Sequence, residues 1–379
     1  MLLGVSGSLL GCQGIIDEPN WMPPDDEFYE AEVDFECAAD RAPVDAPLRR
    51  LSRSQLEHTV RDTLIALLGE GEAAVVMNEV DREMGAIPGD LRTTDGDQQA
   101  GQLAFYRADQ SVGGAAVGAH DGLGLQLGEG LTEPSRLNAN GTACVAVGKT
   151  DGTCIEGFMR RVGDLTHRRP MAEDECRFYR DEVYTAGDLI TIEDLRDVVT
   201  VLFAQPNFLF HVEGTGTLTA HEAANRLSYH LWDTMPDDAL RASAASGDLL
   251  TSEGWQAEVT RVLADPRSEQ PFRISLTASL RFDHLNTAPT GTGAALAAIA
   301  GDLDLDAAFD RAVEDELVDL FAHVVRTGGT FEDFFLSEVT PTTHPLLAEF
   351  YGVSPAAPGE VVAVPPERRG ILTRVGLLL

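Results

Sequence analysis

Several stretches of this chain repeat apolar residues at the 3.6-residue spacing of an amphipathic helix, and most of them open on a residue that can cap a helix. Ser52-Arg53-Ser54-Gln55 is a capping box, in which a hydroxyl and an amide three residues apart satisfy each other's free backbone N–H groups. Leu51 and Leu56 flank it at the spacing of a hydrophobic staple. Leu56, Val60, Leu64, Leu67 and Leu68 then share one face, and Gly69 is a stop. Thr219-Ala220-His221-Glu222 is a second box, followed on one face by Ala220, Ala223, Ala224, Leu227 and Leu231. The same reasoning predicts helices over Thr191–Phe203, Thr251–Leu263 and Ala307–Val325, a short one started by Thr330 and Asp333, and another over Thr343–Tyr351. Strand patterns are confined to Val361–Val364 and the loop between Cys144 and Cys154. Gly- and Thr-rich stretches near 85–102, 120–142 and 286–301 read as loops. The expected fold class is mainly α, a multi-helical body with few strands and one short disulfide-closed hairpin.

Charge narrows the function classes. Asp and Glu number 62 against 28 Lys and Arg, a formal net charge of −34. Such a chain lacks the basic face that neutralises phosphates, so nucleic acid is excluded as a partner, and anionic lipid repels it. With 44% hydrophobic residues it can still bury a core. Lys149 is the sole lysine. Excess carboxylate with almost no lysine suits salty surroundings, and a GC-rich genome produces the same arginine bias; neither explanation points to a function. No apolar stretch has the roughly 20 residues of a membrane-spanning helix.

The first twelve residues end in Leu9-Leu10-Gly11-Cys12 and resemble a bacterial lipoprotein signal, in which the cysteine becomes the acylated N-terminus. No positive residue precedes the apolar run. Residues 13–40 hold ten acidic residues, three prolines and no Lys or Arg, so 13–46 is expected to be an extended tether. Cys12 is thus the candidate lipidation site, the membrane is reached through that lipid, and the location expected is the cell envelope. In an oxidising compartment Cys144 and Cys154 would close a short loop, leaving Cys37 to pair with Cys176. No C-x-x-C occurs, so the chain carries no covalent haem-attachment motif.

The order of several motifs resembles a bacterial family of large secreted proteins assembled from domains of unknown function 1587, 1595, 1592 and 1588. Leu51–Leu64 is similar to its opening motif, Phe158–Glu175 with Arg168-Arg169-Pro170 to its second, and Pro206–Glu213 to its third. Leu218–Leu250, with Asn225–Trp232 and Met235-Pro-Asp-Asp238, is the closest match. Phe334–Val353 and Arg368–Thr373 are similar to the last two. The resemblance implies domains at 47–142, 143–205, 206–330 and 331–379. Some members carry a haem domain, which implies redox partners. This chain departs in three places: Gly163–His167 lengthens the second motif, His211 stands where Arg is usual, and His344 where Asn is usual. Its end within the apolar Gly376–Leu379 reads as a truncated member.

Five groups of residues invite chemical readings. His221-Glu222-Ala-Ala-Asn225 is one residue from the H-E-x-x-H of zinc proteases, but Asn225 is a poor zinc ligand and Glu222 is explained by the capping box. His211, Glu213 and His221 would converge if the loop 214–218 folded back, giving a cluster for a divalent metal or a ligand; the alternative is that Gly214-Thr-Gly-Thr is merely a turn. Arg168 and Arg169, with Arg160 and Arg161, form a basic cluster suited to an anion, or to internal pairing with Glu173, Asp174 and Glu175. Asp233, Asp237 and Asp238 could serve acid–base work on a glycoside or simply cap helices. Asp302, Asp304 and Asp306 alternate like a calcium loop without its central glycine. The function expected is a binding or scaffolding component of a cell-envelope assembly with redox or polysaccharide-handling partners. The alternative is an extracellular carboxylate- or metal-dependent hydrolase of polysaccharide.

Overall fold

The computed structural model of the chain describes residues 48–88, 113–139, 152–180, 191–280 and 307–378. Cys12, Cys37, Cys144, the tether and the Asp302–Asp306 run lie outside them. Among the described residues the chain is mainly helical, and the strands are two-residue pairings. No helix among these residues is long and apolar enough to cross a membrane.

The capping signals are used as the sequence suggests. Helix α1 (Arg53–Leu68) starts at Ser52, whose hydroxyl accepts from Gln55 N at 3.0 Å while Gln55 Oε1 accepts from Ser52 N at 3.1 Å. Leu51 and Leu56 are both buried. Gly69, at φ 80°, ends α1 and admits α2 (Glu70–Glu79) and α3 (Asp81–Ala86). The glycine-rich stretch behaves otherwise. Residues 120–139, read above as loop, form most of α4 (Gly114–Leu131) and all of α5 (Pro134–Ala139).

The reason is packing. Six of the 18 residues in α4 are glycine, which costs about 1 kcal/mol each relative to alanine in a helix. Two of them set a close crossing on α8 (Ile192–Ala204), which is described with its neighbours below. A Cβ on Gly124 would sit 2.9 Å from Thr200 O, and one on Gly128 would sit 2.7 Å from Thr200 Oγ1 and 2.9 Å from Arg196 O. Leu123, Leu127 and Leu131 are fully enclosed around that crossing. Arg136 on α5 closes the layer, pairing with Glu72 and Glu79 of α2 and donating to Gly130 O.

Helices α6 (Gly152–Thr166), α7 (Glu173–Phe178) and α8 complete this first core, with the short α9 (Pro206–Leu209). Cys154 lies in the first turn of α6 and not on a strand of a hairpin. Cys176 on α7 is buried and has no disulfide partner among the described residues, its expected partner Cys37 lying outside them, and burial raises its pKa. Strand β1 (Arg49–Arg50) pairs antiparallel with β2 (Phe210–His211), Arg49 opposite His211.

A second helical group follows. Helix α10 (Ala220–Leu231) is capped by Thr219 and Glu222, α11 (Asp238–Ser246) by Asp237, and α12 (Ser252–Ala264) by Thr251. Trp232 is buried between them, its indole donating to Val262 O at 2.9 Å beneath the Arg267 guanidinium. The last part comprises α13 (Glu269–Leu280), α14 (Ala307–Arg326), α15 (Phe331–Phe335), α16 (Pro345–Tyr351) and α17 (Val375–Leu378). Strand β3 (Val339–Thr340) pairs with β4 (Val362–Ala363), inside the stretch expected to be extended. At its centre Glu316 of α14 is fully enclosed, accepting from Thr340 and Tyr351 hydroxyls at 2.6 Å each, with Arg374 at 3.5 Å. Burial raises the Glu316 carboxyl pKa, and the two hydroxyls and Arg374 oppose that rise.

The α4–α8 crossing gives two substitutions of opposite sign. Gly128→Ala should lower stability by roughly 1–3 kcal/mol because the added methyl has no room. Gly118→Ala on the same helix meets nothing within 4 Å and should raise stability by up to about 1 kcal/mol. Urea unfolding of both variants is the check, and equal effects would contradict the close crossing.

Candidate functional site

The link from α6 to α7 makes a left-handed bend at Arg168, at φ 56°. A side chain there is strained unless its surroundings hold it. Arg168 is 4% exposed, and its guanidinium is spread over one short segment. It donates to Asn207 O at 2.5 Å, Phe208 O at 3.1 Å, Phe210 O at 2.6 Å and the Tyr229 hydroxyl at 3.1 Å. The three carbonyls belong to the turn from α9 into β2, which leaves its C=O groups without helical partners. Arg168 therefore meets the segment's own hydrogen-bonding demand. The anion-binding role considered for it does not fit, because its donors are directed at the backbone.

That clamp fixes His211. Its ring lies edge-on to Tyr229 at 4.7 Å, and its Nε2 is 3.2 Å from Gln55 Oε1, the amide that caps α1. Tyr229 OH is in turn 2.8 Å from Thr59 Oγ1. Burial lowers the His211 pKa to about 3, with the Arg168, Arg49 and Arg226 charges acting in the same sense. The ring is neutral at ordinary pH.

Beyond His211 the loop folds back onto α10, as the cluster reading required. Glu222 accepts from Gly214 N at 2.6 Å and from Thr219 N at 2.7 Å. Burial alone would raise its carboxyl pKa, but these bonds hold it below the usual value. Glu213 makes a two-pronged pair with Arg226, at 2.7 and 2.6 Å. His211, Glu213 and His221 thus line one cavity of about 230 Å³, together with Arg168, Arg169 and Asn207. His167, Thr219, Glu222 and Asn225 complete the polar lining.

The chemistry available there differs from the expectation. Among the described residues no group of three or more His, Cys, Asp or Glu is placed to hold a metal. Glu213 and Glu222 are committed to Arg226 and to backbone N–H groups. Arg169 pairs with Glu175 at 2.7 and 2.8 Å, and this contact, ahead of the others, lowers the Glu175 pKa to about 2. Arg160 pairs with Glu156 and Glu173, and Arg161 reaches carbonyls at the end of α1. Arg160 and Arg169 thus pair internally with Glu173 and Glu175, while Arg161 and Arg168 reach backbone carbonyls. His167 Nδ1 lies 2.9 Å from Gly163 O. Two buried polar atoms remain without a partner: His221 Nδ1 and Asn225 Oδ1, one turn apart on α10. Burial, aided by Arg169, lowers the His221 pKa.

The other carboxylates weighed for acid–base work have structural roles. Asp237 accepts from Leu240 N at the start of α11 and makes a two-pronged pair with Arg261. Asp233, at φ 57°, accepts from Ser54 and raises the pKa of His58 through a hydrogen bond. Asp238 pairs with Arg241 at the surface.

Residues 218–353 match the model of a family described as PSD4, a protein of unknown function (DUF1592). The match takes in α10, with His221, Glu222 and Asn225, and begins after the other cavity residues. No curated protein and no solved structure matches the chain. Asn225 entered the sequence reading as a failed zinc ligand and as the head of the Asn225–Trp232 motif, and His167 and Asn207 entered it only as members of the second and third motifs. What marks them is their placement around one cavity, which no spacing rule encodes.

The lowered pKa of His211 has a signed consequence. Its value is about 3 in the folded chain against an ordinary 6.5, so between those pH values the unfolded chain takes up a proton that the folded chain refuses. Stability present above pH 6.5 is lost as pH falls, by at most about 1.4 kcal/mol per pH unit for this group. His211→Gln should flatten that dependence, as measured by urea midpoints at pH 7 and pH 5. Identical pH dependence in both proteins would refute it.

Proposed function

We propose that this chain is an exported binding component of a cell-envelope assembly, and that the cavity between β2 and α10 is its ligand site. The observation that carries this reading is the state of the cavity's polar groups. Its charged side chains are paired with one another or with backbone, while His221 Nδ1 and Asn225 Oδ1 are buried without partners. A buried polar atom left unpaired costs about 1–3 kcal/mol, and a ligand that pairs it recovers that cost on binding. The ligand that suits such a site is uncharged and rich in hydroxyl groups, since a hydroxyl both donates and accepts. A free charge would have to compete with established ion pairs. The volume is below the roughly 300 Å³ at which drug-sized sites begin, so one saccharide ring is the natural size.

The polysaccharide hydrolase remains the rival reading, and no observation favours it. It needs a carboxylate free to act, and both carboxylates of the cavity are engaged. Location in the envelope rests on the lipoprotein-like Leu9–Cys12 and the acidic tether.

Titration calorimetry with neutral monosaccharides should detect binding that Asn225→Leu weakens by at least roughly tenfold, the worth of one lost hydrogen bond. Binding confined to sulfated or uronic saccharides and abolished by Arg169→Ala would overturn the neutral-ligand reading. Chelator-sensitive glycoside cleavage would favour the rival. For the envelope, labelled fatty acid should enter the expressed protein and fail to enter Cys12→Ser; incorporation in the variant would exclude acylation at Cys12.

A further inference from the structure

The segment 206–211 has a second cavity on its other side. Asn207 and His211 face the polar cavity described above. Pro206, Leu209 and Phe210 line a different one, of about 220 Å³, with Val117 and His120 of α4 and Ala204 at the end of α8. Its walls are mainly apolar. Val117 is 56% exposed and marks its mouth.

Three polar side chains, Arg50, Asp121 and His120, share this wall with the apolar ones. His120 is 5% exposed, and neither of its ring nitrogens has a hydrogen-bond partner. Buried histidines ordinarily bond at least one nitrogen, so a fully unpartnered imidazole requires an explanation. Burial and the Arg50 charge both lower its pKa, so the ring is neutral, with one N–H and one lone pair.

We propose that this cavity binds a small, largely apolar molecule carrying a single hydroxyl group, of the phenol or short-chain alcohol class, with His120 as the hydrogen-bonding partner of that hydroxyl. The apolar body replaces water against Leu209, Phe210 and Pro206, and the hydroxyl serves either tautomer of the imidazole by donating or accepting. A charged group would be opposed by one of the two ions in the wall, an anion by Asp121 and a cation by Arg50, whereas a hydroxyl is opposed by neither. The size is appropriate: a dry protein cavity of about 150 Å³ accommodates one benzene ring. This site stands apart from the polar cavity, and its test does not depend on what binds there.

The test uses the full chain with phenol, toluene and benzoate as probes, read by thermal shift and by ligand-observed NMR at millimolar concentration. Phenol should bind roughly tenfold more tightly than toluene, the factor expected for one neutral hydrogen bond. His120→Phe keeps an aromatic ring in the wall and removes the unpaired nitrogens. It should fold at least as stably as the parent and bind phenol and toluene alike. Val117→Trp at the exposed mouth should block both. Equal binding of phenol and toluene to the parent, or no binding of phenol, would overturn the proposal. So would preference for phenol that survives His120→Phe, binding that survives Val117→Trp, or benzoate binding more tightly than phenol.

Discussion

The guanidinium of Arg168 holds together the part of the molecule where both cavities lie. It is a buried cation whose donors end on three consecutive-region carbonyls and one phenol. Burying a cation is unfavourable unless its hydrogen bonds are met, and removing one member of such an arrangement costs about 3–5 kcal/mol. Here the partners are backbone groups that the α9-to-β2 turn would otherwise leave unsatisfied. The strain of a left-handed arginine is offset by that set of bonds. The same turn carries Asn207 and His211 on one side and Leu209 and Phe210 on the other, so one side chain positions the walls of two dissimilar sites.

Around this clamp the charged groups are arranged to cancel. Arg169 is matched by Glu175, Arg226 by Glu213, Arg136 by Glu72 and Glu79, and Arg261 by Asp237. In a chain with 62 acidic and 28 basic residues, the arginines near the cavities are engaged in holding elements together. Guanidinium suits this role, because its planar fork bonds carboxylates and carbonyls with several donors at once. The two cavities are lined by charged side chains as well as by imidazole, amide and apolar ones.

Local rules account for several helix starts. The boxes at Ser52, Thr219 and Thr330 and the cap at Thr251 all form, because a hydroxyl and a carboxylate or amide three residues apart satisfy free N–H groups without outside help. The same rules failed for α4. Glycine spacing reads locally as loop, and only contact with Thr200 and Arg196 shows why glycine is needed within a helix. The candidate site was legible to an intermediate degree. His211, Glu213 and His221 do converge, since the loop is short and Glu222 ties it back. The part assigned to Arg168 was not legible, because a sequence cannot show whether a guanidinium faces solvent or a turn of backbone.

The amino-acid sequence by itself determined its acidic balance and where several helices begin, because a cap depends on residues within a few positions of one another. Only the tertiary structure decided which polar groups are paired and which are left over. Arg168 meets residues about 40 positions away and Tyr229 at 61 positions, while His120 finds no partner at all. Hydrogen-bond satisfaction in a core is set by what packs alongside, and that is a property of the assembled helices rather than of any segment.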